Sequence, residues 1–205
     1  MLQKNHCYEK MICITNRHLC QGDFYERIAQ IAEWRPKAII LREKDLQEEE
    51  YEQMLSKCKD ICKGRVPLYA HTFIKAAKKA GVEGIHLPLP ALRNYIFNQE
   101  TEQMQNEKSS RENSLSGMKV GVSIHSVTEA VEAQQLAASY VTAGHIFATD
   151  CKKGIPGKGL TFLQQVCQAV TIPVYAIGGM NEKNHLLAVK IGAAGSCMMS
   201  GFMKS

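Results

Sequence analysis

Val174-Tyr175-Ala176-Ile177-Gly178-Gly179-Met180-Asn181 decides the fold: a short apolar run ends in two glycines, and a helix at Asn181 to Ile191 begins. Moving outward from it, the same unit recurs. Downstream, Ala194 to Met199 reads as a strand, and the chain then stops within a few residues. Upstream, strand-like runs stand at Met11 to Thr15, Ala38 to Leu41, Val66 to Ala70, Gly84 to Leu87, Lys119 to Ile124 and Tyr140 to Ala143. Amphipathic segments alternate with them at Phe24 to Trp34 (capped by Gly22-Asp23), Leu46 to Lys63 (started by Asp45), Thr72 to Ala80 (stopped by Gly81) and Ser126 to Ala138 (Ser126 capping, Glu129 three on). This alternation argues an α/β protein with a parallel sheet. Eight strands in one chain of 205 residues fit a small (β/α)8 TIM barrel, residues 1–205 forming a single domain. A doubly wound sheet competes, but it shows a glycine-rich turn after its first strand, and Thr15-Asn16-Arg17-His18 offers none. The eighth helix is largely missing, which leaves an apolar flank for a partner chain, a second copy being the expected one (a homodimer). Asn98 to Gly117 is polar and aperiodic and reads as a mobile loop.

Composition narrows the function classes. Apolar content of 45% and charged content of 22% exclude a disordered chain. No window approaches the ~18 uninterrupted apolar residues of a membrane span. The start MLQKNHCYEK lacks an apolar core, so a secretory signal is not expected and the cytoplasm is the expected location. A net charge of +5 favours anions in general, and no nucleic-acid motif is present. The 8 cysteines read as reduced thiols in that setting. Cys58 and Cys62 share a helix side, but no second pair follows at a zinc-like spacing, so no metal site is expected.

In a barrel, function gathers where the strands end. The Gly178-Gly179 turn lets backbone N–H groups approach a ligand at a helix start, and Met199-Ser200-Gly201 repeats the logic after strand eight. Together they form a phosphate cup, the plain alternative being that Gly178-Gly179 only turns the chain. Arg42 and Lys44, two apart on a strand, share a face and suit an anion clamp, unless Glu43 or Asp45 pairs with them. His125 ends strand five on the face of Ser123, placed to move a proton or, alternatively, to bond a backbone carbonyl. His86 reads as packed, His145 as a pocket residue and His71 as an outside candidate. The basic, glycine-rich loop from Thr149 to Gly159, with Lys152 in it, is long enough to close over an anion, and Cys151 is its exposed thiol.

Leu41-Arg42-Glu43-Lys44, Gly84-Ile85-His86-Leu87, Gly121-Val122-Ser123-Ile124-His125-Ser126, Gly144-His145-Ile146-Phe147-Ala148-Thr149, Pro173-Val174-Tyr175-Ala176-Ile177-Gly178-Gly179 and Met199-Ser200-Gly201 occur in the order and spacing that resemble the thiamine-phosphate synthase/TenI family. Synthases of that family join a pyrimidine diphosphate to thiazole phosphate with magnesium. They carry an Asn-Asp pair where this chain has His71-Thr72, Gln and Asp where it has Pro88-Leu89-Pro90, and Gln where it has Ile40. The run from Gly144 to Gly154 is similar to the other branch, the thiazole tautomerases. That resemblance implies a cofactor-independent isomerase, which converts a carboxythiazole phosphate to its aromatic tautomer. It gives His125 the acid/base role and substrate contacts to Arg42, Lys44, Ser123, Thr149, Lys152, Gly178, Gly179, Met199, Ser200 and Gly201, with no metal and with thiazole synthase as a protein partner. The alternatives are a magnesium-dependent thiamine-phosphate synthase and a non-catalytic protein that binds thiazole or thiamine phosphates.

Overall fold

A computed structural model describes residues 8–105, 115–149 and 152–204. Eight strands close into one parallel barrel in sequence order: β1 (Met11–Ile14), β2 (Ala38–Leu41), β3 (Leu68–His71), β4 (Gly84–Pro88), β5 (Lys119–Ile124), β6 (Tyr140–Gly144), β7 (Val174–Ile177) and β8 (Gly195–Met198). The seam is the pairing of β1 with β8, Met11 opposite Ser196 and Cys13 opposite Met198. The helices that follow each strand are α1 (Phe24–Glu33), α2 (Glu48–Cys62), α3 (Ile74–Ala80), α4 (Leu89–Gln105), α5 (Val127–Gln135), α6 (Gly159–Ala169), α7 (Glu182–Lys190) and the four-residue α8 (Ser200–Met203). The barrel expectation therefore holds, including the vestigial last helix.

The helix starts follow from side-chain chemistry. The Asp23 carboxylate accepts the N–H groups of Tyr25 and Glu26, Ser126 Oγ accepts that of Glu129, and Asn181 Oδ1 accepts those of Lys183 and Asn184. Each cap satisfies donors that a helix leaves without intrahelical partners. One expected start is different. α2 begins after Gln47, whose N–H is accepted by Glu50, while Asp45 is taken by Arg17 and His18.

Two apolar layers hold the barrel. The interior is filled by Ile12, Ile14, Ile40, Tyr69, Tyr140, Tyr175 and Cys197, the large tyrosines compensating for the small alanines and glycines of the strands. The outer layer, between strands and helices, contains residues with no exposure such as Ile28, Ile31, Tyr51, Leu55, Leu163 and Val166. Within α8, Phe202 and Met203 are fully buried. Tyr8 stacks on Trp34 at 5.4 Å and meets Phe202 at 5.3 Å, and its hydroxyl donates to Glu182.

Two further expectations are corrected. Residues 98–105 continue α4 and are not a loop: the apolar start of that helix (Leu89 and Leu92, each 2% exposed) anchors it on the barrel and lets a polar tail extend. Residues 106–114 lie outside the described residues. Arg42 and Lys44 stand just beyond β2, which ends at Leu41. α6 is not among the expected elements: it follows a glycine-rich stretch, and the apolar spacing of Leu160, Leu163 and Val166 seats it on the barrel.

Candidate active site

The C-terminal ends of the strands open into a cavity of about 520 Å³, the position where barrel enzymes keep their sites. Arg42, Lys44, Ser123, His125, Thr149, Lys152, Gly178, Gly179, Met199 and Ser200 all line it. Gly201 does not: it lies one residue into α8, exposed and outside the cavity wall. Cys151 is outside the described residues.

The glycine turn is required by its surroundings. Gly178 and Gly179 have φ of 92° and 64°, the region glycine occupies without strain. A Cβ on Gly178 would lie 2.2 Å from His145 Cβ, and one on Gly179 would lie 2.5 Å from the Ala148 carbonyl. The two loops are laced together, the Ile146 N–H donating to Ile177 O and the Phe147 N–H to Gly178 O. Asn184 Nδ2 donates to Gly179 O. With both glycine carbonyls engaged, the amides are the groups this turn has left for a ligand.

Glu43 explains how Arg42 stays available. Its carboxylate is 2% exposed and accepts Thr15 Oγ1–H at 2.6 Å, the Arg17 N–H and Arg17 Nη1 at 3.1 Å. Thr15 Oγ1 in turn accepts the Arg42 N–H at 2.9 Å. Glu43 therefore braces the ends of β1 and β2, and Arg17 also takes Asp45. Neither acid pairs with Arg42 or Lys44, which settles the alternative raised above. Burial, and then the Arg42 charge, hold the Lys44 ammonium below its ordinary pKa. Tyr51, buried on α2, donates to Leu41 O at 2.7 Å and accepts the His71 N–H at 2.8 Å, tying the end of β2 to the end of β3. Nothing in the sequence marked Tyr51, because its partners are backbone groups.

Histidines form the remaining polar wall. His125 lies at the rim, with its Nδ1 3.0 Å from Gly144 O, so Nδ1–H donates to that carbonyl and the ring is held in place by it. The backbone-bonded alternative for His125 is therefore what the structure shows, in a side chain that also lines the cavity. His86, 3% exposed, is packed and at the wall at once, with Nε2 at 2.8 Å from Ser123 Oγ and Nδ1 at 3.2 Å from the Tyr140 hydroxyl. It stacks on His71 with centroids 5.9 Å apart. Burial, followed by neighbouring charge, pushes both imidazoles down to about 3, so they are neutral at pH 7. His145 Nε2 lies 3.2 Å from Ile155 O, while its buried Nδ1 has no partner.

The family described as thiamine monophosphate synthase matches residues 11–202. The chain belongs to that family. Among relatives, the thiamine-phosphate synthase of Fusobacterium nucleatum is 29% identical over 196 residues, covering 95% of this chain and 89% of that one. That of Listeria monocytogenes serovar 1/2a is 34% identical over 163 residues, covering 76% and 69%. A thiamine phosphate pyrophosphorylase structure from Pyrococcus furiosus superposes with a TM-score of 0.76 at 23% identity, covering 100% of this chain and 91% of its own, and supports the fold. These relatives of the thiamine monophosphate synthase family overturn the expected tautomerase: they are named as synthases, and the alternative given above is the one they favour. The expectation of an enzyme of thiamine biosynthesis stands, and that of an isomerase does not. Among the described residues, no helix is long and apolar enough to cross a membrane.

The magnesium that the synthase resemblance implies does not fit this wall. Magnesium takes hard oxygen ligands, carboxylates above all. Among the described residues no Asp or Glu lines the cavity, and no three His, Cys, Asp or Glu side chains form a metal-binding group. Glu43, close in sequence, is committed to Thr15 and Arg17.

Proposed function

We propose that the protein acts as a thiamine-phosphate synthase, joining a pyrimidine diphosphate to thiazole phosphate. What carries the reading is that a match to the synthase family across residues 11–202 coincides with an anion-seeking cavity at the strand ends. In this reading the thiazole phosphate sits at Gly178, Gly179 and Ser200, held by backbone N–H groups. The ring nitrogen forms a bond to the pyrimidine methylene carbon as the carbon–oxygen bond to the diphosphate breaks, and pyrophosphate leaves with the electron pair. Arg42, Lys44 and Lys152 face the charge that develops on the departing group, an electrostatic role that counts most in a partly dry site. Thr149 and Met199 line the same cavity. Ser123, fixed by His86, and His125, held by the Gly144 carbonyl, orient the rings. The proton-transfer role expected of His125 goes with the reaction that needed it.

The test is direct coupling. The protein is incubated with both halves, with magnesium and with chelator, and thiamine phosphate and pyrophosphate are measured together. Equal amounts of both products support the reading, and neither product under any condition sinks it. The lack of carboxylates on the wall among the described residues favours one second reading, a protein that binds these phosphates without turnover; saturable binding with no product would establish it.

A further inference from the structure

We propose that this cavity binds the diphosphate as a bare anion, with side-chain cations in the place a divalent metal would occupy. The inference rests on the synthase reading for the identity of its ligand, and on the following observations for its chemistry. Arg42, Lys44, Lys152 and Lys204 all line one cavity. Among the described residues none of them is in an ion pair. The acids nearest in sequence to Arg42 and Lys44 are drawn off, Glu43 by Thr15 and Arg17, Asp45 by Arg17 and His18.

Uncompensated like charges are costly in a cavity unless an anion enters it. Lys44 registers that cost, being held below its ordinary value by burial and by Arg42. The neutral His71 and His86 add hydrogen-bonding groups without adding charge. A wall of this composition repels a free divalent cation and attracts a polyanion. Arg offers a planar fork of donors to phosphate oxygens, and Lys supplies a compact point charge.

The probe is inorganic pyrophosphate, titrated calorimetrically into the full chain in EDTA and again with magnesium in excess. The expected result is saturable binding in EDTA that magnesium weakens, since the metal neutralises the charge the wall recognises. Replacing Arg42 or Lys44 with Met lowers the affinity about tenfold or more, the effect of losing a charge-assisted hydrogen bond. Arg42→Lys and Lys44→Arg retain part of it, because charge is kept and geometry is not. Lys79→Gln removes an equal charge from the exposed face of α3, paired with Glu52, and leaves affinity unchanged. Circular dichroism and a thermal melt check that each variant is folded.

Pyrophosphate binding that appears only with magnesium overturns the inference, as does an Lys79→Gln loss equal to that of the cavity variants. The synthase reading fails separately: metal-free binding without coupling sinks the reaction and keeps the cation wall. Coupling that needs magnesium, with no binding in EDTA, does the reverse.

Discussion

At the scale of single residues, the cavity is defined as much by what is held neutral as by what is charged. His71 and His86 have ordinary values of 6.5 and are held down to about 3 in the folded chain, so the unfolded chain binds more protons between those limits. Stability is therefore fully present above pH 6.5 and falls as the pH drops from there toward 3. The midpoint of thermal unfolding followed from pH 8 to 4 should decline below 6.5, and the His71→Asn, His86→Asn double variant should decline less steeply over the same range. A second prediction concerns Gly178. Alanine there meets His145 Cβ and must also adopt a positive φ. We expect Gly178→Ala to cost on the order of 2 kcal/mol in denaturant unfolding and to abolish measurable binding of inorganic phosphate. A variant that melts and binds like the parent would show that the turn is not the phosphate cup.

At the scale of elements, loops at the strand ends work because helices behind them hold the backbone. Tyr51 is the clearest case: one hydroxyl joins the last carbonyl of β2 to the His71 amide at the end of β3. Tyr51→Phe leaves two buried backbone groups unpaired and is expected to cost about 1–3 kcal/mol in urea unfolding, with weakened anion binding because Arg42 and His71 lose their common anchor. Full retention of both properties would mean that those ends are fixed by the sheet alone. These braces were the least legible part of the sequence. The capping residues Asp23, Ser126 and Asn181 could be read because they act on amides two or three residues away. The glycine pair could be read because it interrupts an apolar run. Glu43 and Tyr51 act on partners 10 to 28 residues distant, a spacing that no periodicity encodes. α6 and residues 98–105 were illegible for a different reason: polar or glycine-rich composition argues against helix, whereas packing of a few apolar side chains on the barrel is enough to form one.

At the scale of the whole molecule, alternation of short apolar runs with helices was sufficient to give the barrel, because each strand has two buried faces and each helix one. The reaction was not legible in the same way. Motif order led to the family, while the choice of branch leaned on one loop, parts of which (Asp150 and Cys151) lie outside the described residues. The chain closes on itself through the cluster of Tyr8, Trp34 and Phe202. Phe202→Ala, with no exposed surface to relax into, is expected to cost about 3–5 kcal/mol. Combined with Tyr8→Ala it should cost less than the two separate losses added, since both empty one cluster. Strict additivity in a double-mutant cycle would show that the two rings stabilise the protein independently.

The β1–β8 seam also sets an order of events. Met11 and Ser196 pair across 185 positions of sequence, so β1 keeps one edge unsatisfied until β8 has emerged from the ribosome. Contacts that span so much sequence slow folding. The nascent protein accordingly passes through a stage in which an exposed strand edge is free to pair wrongly, and that exposure ends only when β8 reaches β1.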